Sequence, residues 1–249
     1  MQFFAPADLN QLQPDLTCLT EMNEWVKNFL GRPHPDLGRS GPVCPFVPRA
    51  LQLDTIRLAV IHTQAMGQAQ VEEIVRCYRD QFLELEPKSG ELAFYKAIML
   101  VFPDVSPEQA PELIDAVQQK LKPFFVEQGL MLGEFHQHNE TPGLHNPDFR
   151  PLRSPIPMLA IRFMAESDLP FLERISDQPQ LRVRYLQAYL NRMSSIIKDE
   201  SKLSHARSAL ALAQSQLVQD HPVAPLPQHH PVTPKVSKCP FARLAQAFG

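Results

Sequence analysis

After Pro14-Asp15 the apolar residues Leu16, Leu19, Met22, Val26, Phe29 and Leu30 recur at helical spacing and Gly31 follows as a stop. The pattern predicts an amphipathic helix that delivers the chain into a Pro-rich loop. Ile56–His62 is a short apolar run read as a strand, and Val71, Ile74, Val75, Tyr78 and Phe82 then mark a helix over Gln68–Leu85. Phe94–Phe102 is the second predicted strand. Ser106-Pro107-Glu108 opens a helix whose inner face is Leu113, Ile114, Val117, Leu121 and Phe124, kinked by Pro123 and closed by Gly129. Leu130–Phe135 and Met158–Met164 read as strands three and four, and helices follow over Gln178–Ile197 and Glu200–Val218. The order β-α-β-α-β-β-α predicts an α+β fold: a single sheet of about four strands with helices packed on it, plus C-terminal helices and a Pro-rich tail. No Gly-rich turn follows any strand, which argues against a doubly wound nucleotide-binding sheet.

Composition adds boundaries to this pattern. The 249 residues include 25 prolines against 9 glycines, and the prolines cluster over 33–48, 142–157 and 222–240. The first two clusters lie inside the body, where fixed φ values and missing donors build rigid irregular backbone suited to holding a site. The third has the composition of a semi-extended linker. The expected division is an α+β body over 1–198, a C-terminal helix over 199–220 and a Pro/His-rich tail over 221–249. With 24 basic and 27 acidic residues, bulk charge gives no support for a nucleic-acid partner. No run of 18 apolar residues and no leader pattern occurs, so the chain is expected to be cytoplasmic and not to engage a membrane. Four cysteines without a CxxC pair predict neither a disulfide framework nor a zinc ribbon. The sequence leaves the oligomeric state open.

The two internal Pro-rich loops hold the candidate chemistry. In RPHPDLGRSGPVCPFVPRAL, Cys44 precedes Pro45 and follows Arg32 and Arg39, with Arg49 just beyond. Cationic neighbours favour a thiolate, and a proline without an amide hydrogen lets the sulfur project. Haem-thiolate ligation and haem-regulatory motifs both use a Cys-Pro pair, and the alternative is a small buried hydrophobe at a turn. The tail repeats the pattern as Cys239-Pro240-Phe241, with His221, His229 and His230 upstream as possible second ligands. The second loop carries His136, His138 and His145 together with Arg150 and Arg153, and Arg162 follows on strand four. If the third strand runs on to His138, His136 and His138 share a face, as a metal pair requires. Arg150 and Arg153, in a proline-fixed segment, form a pair of guanidinium forks suited to a carboxylate or a haem propionate, or to an acid of the body itself.

The combination of RPHPDLGRSGPVCPFVPRAL, a strand ending in FPD and GLHNPDFRPLRSPIPMLAIRFM resembles an uncharacterised bacterial domain-of-unknown-function family over Asn28–Leu172. It is more distantly similar to the YqcI/YcgG group, whose members include haem-dependent N-oxygenases; the matching loop is Gly143, Leu144 and His145, with Asn146 standing where that group has proline. The resemblance implies haem b beside the Gly-Leu-His loop, held by His145 or Cys44; the residues themselves add Pro45, Arg150, Arg153, Arg162 and Cys239 as candidates around it. His34, His136 and Glu140 are then the candidate acids and bases. The implied activity is an oxygenase or peroxidase-like oxidation of a small nitrogen-containing substrate. A haem or redox sensor without chemistry, and an anion-binding interaction module without haem, are the alternatives.

Overall fold

The structure is a computed structural model and describes residues 6–220. Four strands form one mixed sheet in the order β1-β2-β4-β3: β1 Ile56–Val60, β2 Ala97–Val101, β3 Leu130–Phe135 and β4 Met158–Phe163. Strand β1 runs parallel to β2 with Leu58 opposite Met99, and β2 runs antiparallel to β4 with Met99 opposite Ala160. The fold is α+β, as the order of apolar runs predicts.

The chain divides into two compact units. Among the described residues the first holds 6–122 together with 131–163, and the second holds 123–130 and 164–220. In the first unit the period of two along the strands sorts the core into layers. Ile56, Leu58 and Val60, Met99 and Val101, and Met158 and Ala160 share one face of the sheet. They pack with Cys18, Met22, Val26 and Leu30 from helix α1, Pro6–Trp25, and the π-helical turn Val26–Leu30 that continues it. On the other face Ile98, Leu100, Leu159 and Ile161 are buried, and Arg57 of the edge strand β1 is exposed. Helix α2, Val47–Gln52, follows the first Pro-rich loop, and helix α3, Gln68–Glu84, packs against β2. Gln70 opens α3 by accepting the Gly67 N–H at 2.9 Å.

Several elements differ from the sequence pattern. The second strand begins at Ala97 because residues 90–94 close into the one-turn helix α4, Gly90–Phe94. Lys96, just before the strand, is almost completely buried; its Nζ donates to the carbonyls of Phe82 and Leu85 at 2.6 Å each and lies 4.5 Å from the Phe82 ring centre. Those carbonyls belong to the end of α3, which leaves its last acceptors without helical partners. The predicted long helix from Ser106 is instead a π-helical turn, Pro111–Asp115, followed by α5, Ala116–Glu127. Pro111 lacks the amide that a regular helix would use at that point. Strand β3 ends at Phe135, so His136 and His138 do not alternate as strand residues: His136 is buried and His138 exposed.

In the second unit α6, Leu169–Leu172, precedes α7, Pro179–Met193, which packs on α8, Glu200–Asp220. Tyr185, Leu186, Tyr189 and Met193 are buried apolar positions of α7, and Leu203, Ala206 and Ala213 those of α8. The Tyr189 hydroxyl donates to the Glu166 carbonyl at 2.9 Å, and burial pushes the phenols of Tyr185 and Tyr189 up to about 12. No helix among the described residues is long and apolar enough to cross a membrane.

Candidate functional site

The two internal Pro-rich loops meet in space. The first leaves the π-helical turn, is pinched by an antiparallel bridge between Pro33 and Pro42, and returns where the Cys44 N–H donates to the Leu30 carbonyl at 2.8 Å. At its tip His34 caps a single 3-10 turn, Pro35–Leu37, its Nδ1 accepting the Asp36 N–H at 3.2 Å. That acceptor role puts the proton of a neutral His34 ring on Nε2. Gly38 then turns the chain at φ +75°, and a Cβ there would stand 2.5 Å from the His145 carbonyl oxygen of the second loop. The second loop reciprocates. Asn146 Nδ2 donates to the Asp36 carbonyl at 2.8 Å, and Phe149 stacks on His34 with ring centres 4.7 Å apart at 29°. Phe149 also lies 6.2 Å from Phe29, which stacks on Trp25 at 5.5 Å, so the rings run from α1 to the second loop.

Beside these rings opens a cleft of about 560 Å³ lined by Phe29, Asp36, Asn146, Asp148, Phe149, Arg150 and Arg153. Its volume falls in the range of about 300–1,000 Å³ usual for small-molecule sites. Glu140 joins the two arginines, accepting from Arg150 Nε at 3.2 Å and from Arg153 Nη2 at 2.5 Å. These two hydrogen bonds hold the Glu140 carboxyl below the usual carboxylate range. Arg150 Nη1 is tied to the Pro147 and Phe149 carbonyls, and Arg153 Nε to that of Asn139. Arg150 Nη2 and Arg153 Nη1 keep their donors without a partner among the described residues. A guanidinium has five N–H donors, so each arginine can serve Glu140 and a ligand together.

Of the residues singled out from the sequence, Arg150 and Arg153 line the cleft, Glu140 bridges them, and His34 backs the ring wall. His145 is exposed, next in sequence to the lining residue Asn146. Cys44 is half-buried and packs on the α1 side of the core with Leu30, Val43 and Val47; Pro45 follows it in the turn before α2. Neither lines the cleft. Arg162 sits on β4 opposite Ala97, its guanidinium 5.3 Å from the centre of the Phe46 ring. His136 is buried behind the second loop, with Nε2 3.0 Å from Asp115 Oδ1 and its backbone N–H donating to the Leu152 carbonyl. Its Nδ1 is buried without a partner in the described structure. Among the described residues no group of three or more His, Cys, Asp or Glu is placed to hold a metal ion. Cys239, His221, His229 and His230 lie outside the described residues.

One constellation has no counterpart in the sequence reading. His62, two residues beyond β1, has Nδ1 3.2 Å from both carboxylate oxygens of Asp104 and Nε2 2.9 Å from Asp15 Oδ1. Asp104 follows β2 and also accepts the Thr63 N–H at 2.9 Å, so the parallel pairing of β1 and β2 brings the two chain ends together. Burial works against the charged ring, but the hydrogen bonds it donates to Asp104 and Asp15 outweigh it and raise the imidazole above its ordinary value. Nearby on α1, burial and the Asp15 charge push the Cys18 thiol up.

Residues 19–204 match the family described as a domain of unknown function, DUF6875, and the chain belongs to that family. No match is found among curated proteins. None is found among solved structures.

Proposed function

We propose that this member of the DUF6875 family is a small-molecule binding protein, and that the cleft between its two Pro-rich loops takes a ligand bearing an aromatic ring and a carboxylate. The observation that carries the reading is the Arg150–Arg153 pair, fixed by Glu140 at the lip of a ring-walled cleft with unused donors on both guanidinium groups. Charge-assisted, forked hydrogen bonds of this kind are the strong ones available to a carboxylate, and Phe29 and Phe149 offer the apolar face for the rest of the ligand. Isothermal titration with 3-phenylpropionate tests it. Saturable binding that an Arg150→Met, Arg153→Met double variant abolishes supports the reading; absence of binding, or binding indifferent to that variant, removes it.

Haem b is the second reading. One feature favours it: His145 is exposed, one residue before the cleft residue Asn146, and its backbone is wedged against Gly38, which fixes the loop that carries it. Arg150 and Arg153 would hold the propionates. The lining itself contributes no histidine, cysteine or methionine, so the iron ligand would come from His145 at the rim and not from Cys44 on the core side. Bound haem would supply redox and oxygen chemistry, the basis of the N-oxygenase activity that the distant resemblance implies. Haemin titration separates the readings: a saturable Soret band at one haem per chain, lost on His145→Ala, supports haem, and its absence leaves the carboxylate site alone.

A further inference from the structure

The carboxylate-binding reading can be narrowed, on that same reading, by the charges that share the cleft. Asp36 and Asp148 line it together with the two arginines. The Asp148 carboxylate has no hydrogen bond or ion pair among the described residues; only its backbone N–H is used, donating to Asn146 Oδ1 at 3.0 Å. Asp36 Oδ2 lies 3.8 Å from His34 Nδ1, beyond hydrogen-bond reach, and that nitrogen is the acceptor of the Asp36 N–H. Two guanidinium groups therefore face three carboxylates, one of them Glu140, which already engages both arginines. A simple monoanion entering this cleft gains the arginine forks and meets two acids that no arginine or lysine pairs among the described residues, in a space whose carboxylates already outnumber its guanidinium groups by one. A ligand that carries its own ammonium group meets both sets of charges with opposite ends.

We infer that the ligand of the cleft is a zwitterion of the aromatic α-amino acid type. Its carboxylate is taken by Arg150 and Arg153, its ring by the Phe29–Phe149 wall, and its ammonium group by Asp36 and Asp148.

Calorimetric titration of the full chain with L-phenylalanine, 3-phenylpropionate and phenethylamine tests the inference, since the second lacks the ammonium group and the third the carboxylate. L-Phenylalanine is expected to bind about fivefold tighter than 3-phenylpropionate, the scale of one solvent-accessible ion pair. Asp36→Asn combined with Asp148→Asn should bring that ratio to about one while leaving 3-phenylpropionate bound, since both side chains are exposed and only charge is removed. Equal affinity for L-phenylalanine and 3-phenylpropionate in the unmodified protein, or a ratio that survives the double variant, overturns the zwitterion and leaves the carboxylate site standing. Phenethylamine binding as tightly as L-phenylalanine, or no binding of any of the three, overturns both.

Discussion

His34 and Phe149, 115 positions apart in the chain, stack face to face with ring centres 4.7 Å apart. The contact joins the first Pro-rich loop to the second, and the Asn146–Asp36 hydrogen bond and the Gly38–His145 approach reinforce it. The cleft exists because these contacts hold two irregular segments in register, each fixed internally by its prolines. Phe149 is buried, so Phe149→Ala is expected to cost about 3–5 kcal/mol through lost burial and a residual cavity. His34→Ala removes one half-buried partner and should cost about 0.5–1.5 kcal/mol. Urea unfolding of the two variants should show that order, and the reverse order would contradict the assignment of Phe149 as the inner member.

Gly38 provides a second handle on the same junction. Its φ of +75° disfavours any L side chain, and the nearest atom a Cβ would meet is backbone, which cannot rotate away. Gly38→Ala should lower the thermal midpoint and weaken 3-phenylpropionate binding together. Gly90, also at positive φ but with nothing within 4 Å, is the control: Gly90→Ala should lower stability without touching binding. Binding unaffected by Gly38→Ala would show that the loops do not need each other.

The sheet is legible in the sequence because each strand is a short apolar run between turn signals, and the single-sheet α+β class follows from the order of helices and strands; the strand directions do not. Arg150 and Arg153 were legible too, as cations in a segment stiffened by Pro147, Pro151 and Pro155. What composition does not contain is which loop meets which. The meeting of Asp36 with Asn146 is a tertiary event, and so is the partner of the arginine pair, Glu140. His62 carries no signal of its own in the sequence, because a histidine ending an apolar run looks like a strand terminus. Its meaning appears only when β1 and β2 lie parallel and bring Asp104 alongside, the Asp of the FPD segment. Helices α2 and α6 are too short to show a helical period.

The His62 clamp makes stability depend on pH. A histidine whose folded value is raised binds its proton more tightly in the folded chain, so the stabilisation is full below the ordinary imidazole value of about 6.5 and is lost as pH rises through the raised folded value. The thermal midpoint should therefore fall across that window. His62→Gln should flatten the fall, and Asp104→Asn should do so as well. An identical pH profile for His62→Gln and the unmodified protein would place the dependence elsewhere.

Lys96 is expected to matter for stability alone. Its ammonium group satisfies two carbonyls at the end of α3 inside a nearly dry site, and burial lowers its pKa. Lys96→Met keeps the stem and strands both acceptors, at a cost of about 2–3 kcal/mol. Denaturant unfolding checks the value; a loss below about 0.5 kcal/mol would mean that water replaces the amine.

Glu140 competes with the ligand for the arginine pair. Glu140→Gln removes the negative charge shared by the two arginines and leaves one acceptor oxygen where there were two, which frees a donor of one guanidinium group. Affinity for 3-phenylpropionate should rise, by titration calorimetry, while that for phenethylamine should not. Weaker 3-phenylpropionate binding in this variant would show that Glu140 positions the arginines more than it occupies them.

Trp25 is the single tryptophan of the chain, and it stacks on the cleft residue Phe29. Its emission is therefore a built-in reporter for the central claim. Titration with 3-phenylpropionate should give a saturable change in Trp25 fluorescence with the unmodified protein and none with the Arg150→Met, Arg153→Met double variant of unchanged fold. An emission that stays constant in the unmodified protein, or changes equally in both, would contradict a carboxylate site between the two loops.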